Sequence, residues 1–158
     1  MKKRILIVDD DTALLKNFRE ILESEEYEVD TAQTGKEAID RTGQQLYNLS
    51  LIDIRLPDME GTRLLTAMKE TTPRMIKIII TGFPALENAI EAVNRGADGY
   101  IVKPLLDIDG FLKTVKEHLK KQEKAAKYDE EKVGEFIETR VKKLEGTRAS
   151  TRRARKNA

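Results

Sequence analysis

Five short strand candidates, four of them mainly apolar and each followed by a helical stripe, constrain this chain more than any other feature. The candidates lie at 4–8, 28–32, 49–53, 76–81 and 99–102. Runs this short and continuous read as strands buried on both faces. The first stripe between them is Leu14, Leu15, Phe18, Ile21 and Leu22, at i, i+3/i+4, i+7 spacing. Ala38, Ile39 and Leu46 mark a shorter helix, opened by Thr34 with Glu37 three residues on, a capping-box pattern. Leu64, Leu65 and Met68 form a third stripe. Leu86, Ala89, Ile90 and Val93 form a fourth, ended by Gly96, and Phe111, Leu112, Val115 and Leu119 a fifth. Strands alternating with helices at this length predict a parallel sheet with helices on both faces and right-handed crossovers. The βα units fill residues 4–122.

Four of the strands end on polar residues. Asp9, Asp10 and Asp11 follow Ile5-Leu6-Ile7-Val8, and Asp53 follows Leu51-Ile52. Thr81 follows Ile78-Ile79-Ile80, and Lys103-Pro104 follows Tyr100-Ile101-Val102. Ligands of open α/β sheets bind outside the carboxyl ends of the strands. These residues therefore point to one crevice holding carboxylates, a hydroxyl and an ammonium. Asp11 alone reads as a cap for the following helix.

Carboxylates near one point cannot all stay ionised without a counter-charge. Hard oxygen ligands with no His or Cys beside them favour Mg²⁺ or Mn²⁺ over Zn²⁺. Such a metal recruits phosphate oxygens. A nearby Lys and hydroxyl suit the same group by neutralising it and donating a hydrogen bond. A carboxylate can itself be the nucleophile, giving an aspartyl-phosphate. Asp53, alone at the end of the third strand, is the candidate. No Walker-type loop occurs, so nucleotide hydrolysis is not supported.

Beyond Leu119 the pattern changes. Residues 120–132 are almost all charged or small, and then Val133, Phe136, Ile137, Val141 and Leu144 form a second amphipathic segment. Such a stripe reads as a docking or dimer face. Asp129 reads as its N-cap and Gly146 as its stop; Gln122 and Asp129 interrupt the apolar spacing, which favours a break or a weakly supported middle over an unbroken fifth helix. Residues 147–158 hold Arg148, Arg152, Arg153, Arg155 and Lys156 and no acid, so with a net charge of +1 the remainder is mildly acidic. This basic tail is expected to be disordered. The expected division is 1–122, 123–146 and 147–158. With no Cys there are no disulfides or thiolate metal sites, and no apolar run is long enough to cross a bilayer. A cytoplasmic protein is expected.

The ordered motifs resemble the receiver domain of two-component response regulators, the chemotaxis-regulator type, over roughly residues 3–122. Val8-Asp9-Asp10 resembles the acidic pair after strand 1. Asp53-Ile54-Arg55-Leu56-Pro57-Asp58-Met59-Glu60-Gly61 resembles the phosphoacceptor strand and its loop. Thr81-Gly82 resembles the switch hydroxyl and its small neighbour, and Gly96 to Pro104 the strand-5 signature. The resemblance implies a doubly wound five-stranded parallel sheet of flavodoxin-like order 2-1-3-4-5, with a C-terminal helical extension here.

It also implies roles. Asp53 would accept phosphate from a histidine kinase. Asp10 would bind the metal directly, Asp9 mainly through water, with Asp53 and the backbone carbonyl of Arg55 as further ligands. Lys103 would pair with Asp53 at rest and with the phosphoryl oxygen after transfer. Thr81 would move toward the phosphoryl group and Tyr100 would rotate inward. Lys103-Pro104 would be a cis peptide. Arg55 and Phe83 stand where the family tunes hydrolysis, and both are expected to slow phosphate loss. His118 reads as a solvated side chain.

The function expected is a stand-alone, phosphorylation-dependent switch acting on its own Asp rather than on an external substrate. Its partners would be a histidine kinase, a downstream protein or phosphotransfer protein, and a second copy as homodimer. Specific DNA binding and membrane association are not expected. The alternatives are a metal-dependent phosphohydrolase with an Asp nucleophile, a phosphotransfer intermediate, and a flavodoxin-like cofactor carrier. Haloacid-dehalogenase-type hydrolases need an Asp two residues after the nucleophile, where this chain has Arg55. Three aspartates after strand 1 would repel a cofactor phosphate.

Overall fold

The computed structural model describes residues 1–82 and 85–156, with side chains at all of these except 86, 87 and 147–156. Its strands are β1 (Arg4–Val8), β2 (Glu28–Ala32), β3 (Leu49–Asp53), β4 (Ile76–Thr81) and β5 (Gly99–Val102). Its helices are α1 (Thr12–Ser24), α2 (Gly35–Gln44), α3 (Gly61–Thr71), α4 (Leu86–Asn94) and α5 (Ile108–Lys156). All strand pairs are parallel, in the order β2-β1-β3-β4-β5. The five strand candidates coincide with the five strands. Residues 1–119 and 120–158 form separate compact units.

Strand alternation sorts the core of the first unit into two layers. Ile5, Ile7, Leu49, Leu51, Ile78 and Ile80 face one way, against Leu15, Phe18 and Leu22 of α1 and Phe111, Val115 and Leu119 of α5. Leu6, Val8, Ile52 and Ile79 face the other way, against Ala38 of α2, Leu64, Leu65 and Met68 of α3, and Ala92 of α4. The central strands β1, β3 and β4 are almost wholly buried because both of their faces are covered.

Local chemistry sets the helix starts. The Asp11 carboxylate accepts from Ala13 N and Leu14 N and caps α1. Thr34 Oγ1 accepts from Glu37 N at the start of α2. The Glu37 carboxylate returns one residue further back, to Gln33 N at 3.0 Å. At the end of α4, Gly96 takes φ 101°, a conformation that favours glycine.

Four sequence expectations need correction. Leu46 lies beyond α2 and is exposed, because the chain has already turned toward β3. Ile90 and Val93 are exposed on α4, whose buried position among the described side chains is Ala92. A small residue there lets the helix lie close to the sheet and leaves the larger ones outside. His118 is not solvated: it is part-buried, with Nδ1 2.8 Å from Thr114 O and Nε2 3.2 Å from Asp98 O. Finally, α5 continues through Gln122, Asp129 and Gly146 to Lys156. Asp129 is no N-cap, Gly146 no stop, and the backbone of the basic stretch 147–156 is helical. Ala, Lys, Glu, Gln and Arg are strong helix formers, and one Gly costs a helix only about 1 kcal/mol. Among the described residues, no helix is long and apolar enough to cross a membrane.

Candidate functional site

Register brings the strand ends together. Val8 pairs with Ile52, so Asp9 follows β1 beside Asp53 at the end of β3. Asp53 pairs with Ile80, one residue before Thr81. Thr81 pairs with Val102, one residue before Lys103, and Lys103 N donates to Thr81 O at 2.7 Å. Strand order reverses direction between β1 and β3, which makes their carboxyl ends the crevice of this sheet.

Asp9, Asp10 and Asp53 each offer a carboxylate oxygen within 4.8 Å of the others. Asp9 is buried at 2% exposure, Asp53 is partly buried and Asp10 is exposed. Asp11 N donates to Asp9 Oδ1 at 2.9 Å and holds that carboxylate still. The Lys103 ammonium contacts both buried acids, Asp9 Oδ2 at 2.6 Å and Asp53 Oδ2 at 3.4 Å. It thus sits closer to Asp9 than to Asp53, the partner expected at rest.

Burial and the neighbouring Asp9 charge raise the Asp53 pKa, and the Lys103 charge offsets this only in part. Burial would lower Lys103, yet its hydrogen bond and charge contact with Asp9, helped by Asp53, leave its pKa raised. Three carboxylates thus converge beside the Lys103 ammonium. Such an all-oxygen cluster fits a hard divalent cation.

Thr81 is fully buried at the end of β4. Tyr100 packs beside the α2–α3–α4 layer, and among the described residues its buried hydroxyl has no hydrogen-bond partner. The Lys103–Pro104 peptide is cis. Arg55 is exposed at the start of the β3–α3 loop, where its N–H donates to Asp53 Oδ1 at 3.4 Å. Phe83 lies outside the described residues.

The loop after Asp53 is held by contacts that sequence spacing did not reveal. Leu56 N donates to Met59 O, and Gly61 N to Ile54 O at 2.6 Å. A Cβ on Gly61 would collide with the Asp53 carbonyl oxygen, so only glycine lets α3 begin there. The Asp58 carboxylate accepts from Gly35 N and Lys36 N, both at 2.9 Å, at the start of α2. Those two amides hold the Asp58 carboxyl below the ordinary carboxylate range. Met59 fills the space over Gly35. No sequence signal links Asp58 to amides more than twenty residues upstream in another element.

The response regulator receiver domain family matches residues 5–116. This chain belongs to that family. Receiver domains serve two-component signal transduction, and this one shares its fold and sequence with solved examples. A CheY-like response regulator receiver domain protein from Methanospirillum hungatei is 48% identical, with a TM-score of 0.76, covering 79% of this chain and 99% of that one. The response regulator TrrA from Thermotoga maritima, solved in complex with Mg²⁺ and BeF, is 29% identical with a TM-score of 0.67, covering 73% and 98%. The alginate biosynthesis transcriptional regulatory protein AlgB from Pseudomonas putida is 39% identical over 101 residues, 64% of this chain but 22% of AlgB. The receiver thus spans about a fifth of that relative's length.

Proposed function

We propose that this receiver is a phosphorylation-dependent switch with Asp53 as phosphoacceptor. An Asp53 carboxylate oxygen attacks the phosphorus of a kinase phosphohistidine, the P–N bond breaks, and the imidazole leaves with its electron pair. The observation that carries this reading is the Asp9–Asp10–Asp53 cluster with Lys103 beside it. Asp10, Asp53 and the Arg55 carbonyl would hold Mg²⁺ or Mn²⁺ directly, and Asp9 mainly through water. Bound there, the ion supplies positive charge that offsets the phosphoryl oxygens.

Lys103 adds the second positive charge and follows the phosphoryl group from its resting place between Asp9 and Asp53. Thr81 Oγ1 donates to a phosphoryl oxygen. Tyr100, whose hydroxyl has no hydrogen-bond partner among the described residues, turns inward when Thr81 moves. Arg55, exposed beside the acceptor, and Phe83 slow the approach of water to the aspartyl-phosphate. Exposed Ile90, Val93, Val102 and Leu106, from α4, β5 and the segment after it, offer an apolar surface to a downstream protein.

Incubation with acetyl phosphate and Mg²⁺ tests the reading. Incorporation of about one phosphate per chain that is lost in Asp53→Asn is the expected result. Sustained release of phosphate from phosphoesters, with none retained on the chain, would identify a hydrolase instead.

A further inference from the structure

The Arg55 carbonyl belongs to a loop that folds as its own small hairpin. Arg55 bridges Glu60 in antiparallel fashion, Leu56 N donates to Met59 O, and Gly61 N donates to Ile54 O. These bonds tie the loop to itself and to its flanking elements. Its tip is held from outside, by Asp58. Each carboxylate oxygen takes one amide of α2: Oδ1 accepts from Gly35 N and Oδ2 from Lys36 N. The donors lie 23 and 22 positions earlier in the chain. Met59 adds packing at the same place, since a Cβ on Gly35 would collide with its thioether. The start of α2 already has a local cap, because Thr34 Oγ1 takes Glu37 N. What the Asp58 fork adds is a fixed distance between the loop tip and α2.

We propose that Asp58 is a positioning residue for the metal: by pinning the loop tip to α2 it holds the Arg55 backbone ready as a ligand. Asp58 has this role only if the aspartate cluster binds a divalent cation as proposed above. Side chains that touch no metal but hold its ligands in place commonly govern affinity. Arg55 lies in the same hairpin as Asp58, and its N–H is directed at Asp53 Oδ1. Freed at its tip, the hairpin gains other positions, and the metal has to select one of them. If the competent position falls to about a tenth of the population, affinity falls about tenfold. Linkage works in both directions: a metal that prefers the pinned loop strengthens the pin. Mg²⁺ should therefore slow hydrogen exchange at Gly35 N and Lys36 N, although neither residue is a metal ligand.

Mg²⁺ titration of the full, unphosphorylated chain, followed by amide NMR shifts, tests this. Asp58→Ala is expected to raise the Kd about tenfold. Phosphorylation by acetyl phosphate should need correspondingly more Mg²⁺, while its rate at saturating Mg²⁺ stays within about twofold of wild type. Asp58 is exposed, so the substitution does not threaten the fold. Asp58→Asn matches the alanine variant in charge but keeps an oxygen for one amide, and it should recover part of the affinity. Thr34→Ala removes only the local cap of α2 and should bind Mg²⁺ as wild type does. Protection of Gly35 and Lys36 by Mg²⁺ should be present in wild type and absent in Asp58→Ala.

An unchanged Kd in Asp58→Ala overturns the proposal. So does equal weakening in Thr34→Ala, which would make the stability of α2 the cause, or in Asp58→Asn, which would make it charge alone. A wild-type chain that binds no Mg²⁺ removes the metal reading itself, and this role of Asp58 with it.

Discussion

The Lys103 ammonium lies 2.6 Å from Asp9, a residue 94 positions earlier in the chain and 2% exposed. It is the cation nearest a carboxylate that water hardly reaches. Replacing it leaves that charge with the Asp11 amide as its nearest support. Lys103→Met is expected to lower the stability of the metal-free protein by about 2–3 kcal/mol, as removal of one partner from a buried pair does. Mg²⁺ should recover more stability in this variant than in wild type, because a more negative cluster binds it better. Urea unfolding with and without Mg²⁺ measures both. An equal Mg²⁺ response in the two proteins would show that Lys103 does not compete with the metal.

Gly61 is pressed against the carbonyl of Asp53. Gly61→Ala is expected to cost about 2 kcal/mol, since α3 or the end of β3 must shift to admit a methyl group. The same shift displaces the acceptor, so phosphorylation should slow by about tenfold or more. Thermal unfolding and phosphorylation kinetics together check this. Destabilisation with a wild-type phosphorylation rate would mean that α3 gives way and Asp53 stays in place.

Asp58 ties the acceptor loop to α2 through Gly35 N and Lys36 N. Asp58→Ala should speed hydrogen exchange at these two amides. The Asp58 pKa is lowered in the fold. Its contribution is therefore present above the unfolded-state pKa and lost as pH falls through the folded-state value. Protection of Gly35 and Lys36 should fade on acidification in wild type and be absent at neutral pH in the variant. Unchanged exchange in Asp58→Ala would remove the tie.

Tyr47 donates to Asp30 Oδ2 at 2.6 Å from a buried ring. Burial, with the Asp30 bond and charge, raises its phenol well above the ordinary 10.0. The stability it confers is complete below pH 10 and is lost as pH rises toward the folded-state pKa. Tyr47→Phe should be less stable than wild type by about 1 kcal/mol at neutral pH. The difference should shrink or reverse above pH 10.0, the ordinary phenol value. Parallel alkaline unfolding curves for the two proteins would contradict this.

Arg55 is exposed two residues after Asp53, with its amide directed at the acceptor carboxylate. Arg55→Asn is expected to speed loss of phosphate several-fold by opening the acceptor to water. The decay of labelled protein after kinase removal gives the rate. An unchanged or slower rate sinks the assignment.

Much of the fold was legible because the strands announce themselves. β1, β3 and β4 are mostly aliphatic and buried on both faces, so no alternation had to be resolved, and each ends where a polar residue begins. The site was legible for the same reason. Asp9, Asp10, Asp53, Thr81 and Lys103 stand at strand ends, and parallel strands gather their ends on one edge. Helix faces were harder. Ile90 and Val93 have the spacing of a core stripe, yet among the described side chains of α4 it is Ala92 that is buried, because close approach to the sheet rewards a small side chain. His118 looked solvated among Lys and Glu, but the carbonyls of Thr114 and Asp98 reach its ring from two directions.

The order of strands and helices, and the acids, hydroxyl and amine at the strand ends, were determined by sequence alone, since both depend on residue type and spacing along the chain. Which oxygen Lys103 meets first, how Asp58 reaches the start of α2, why Gly61 must be glycine and which face of α4 is buried were decided only by the tertiary structure. These are contacts between distant segments, set by register and close approach, and no local pattern encodes a distance across a sheet.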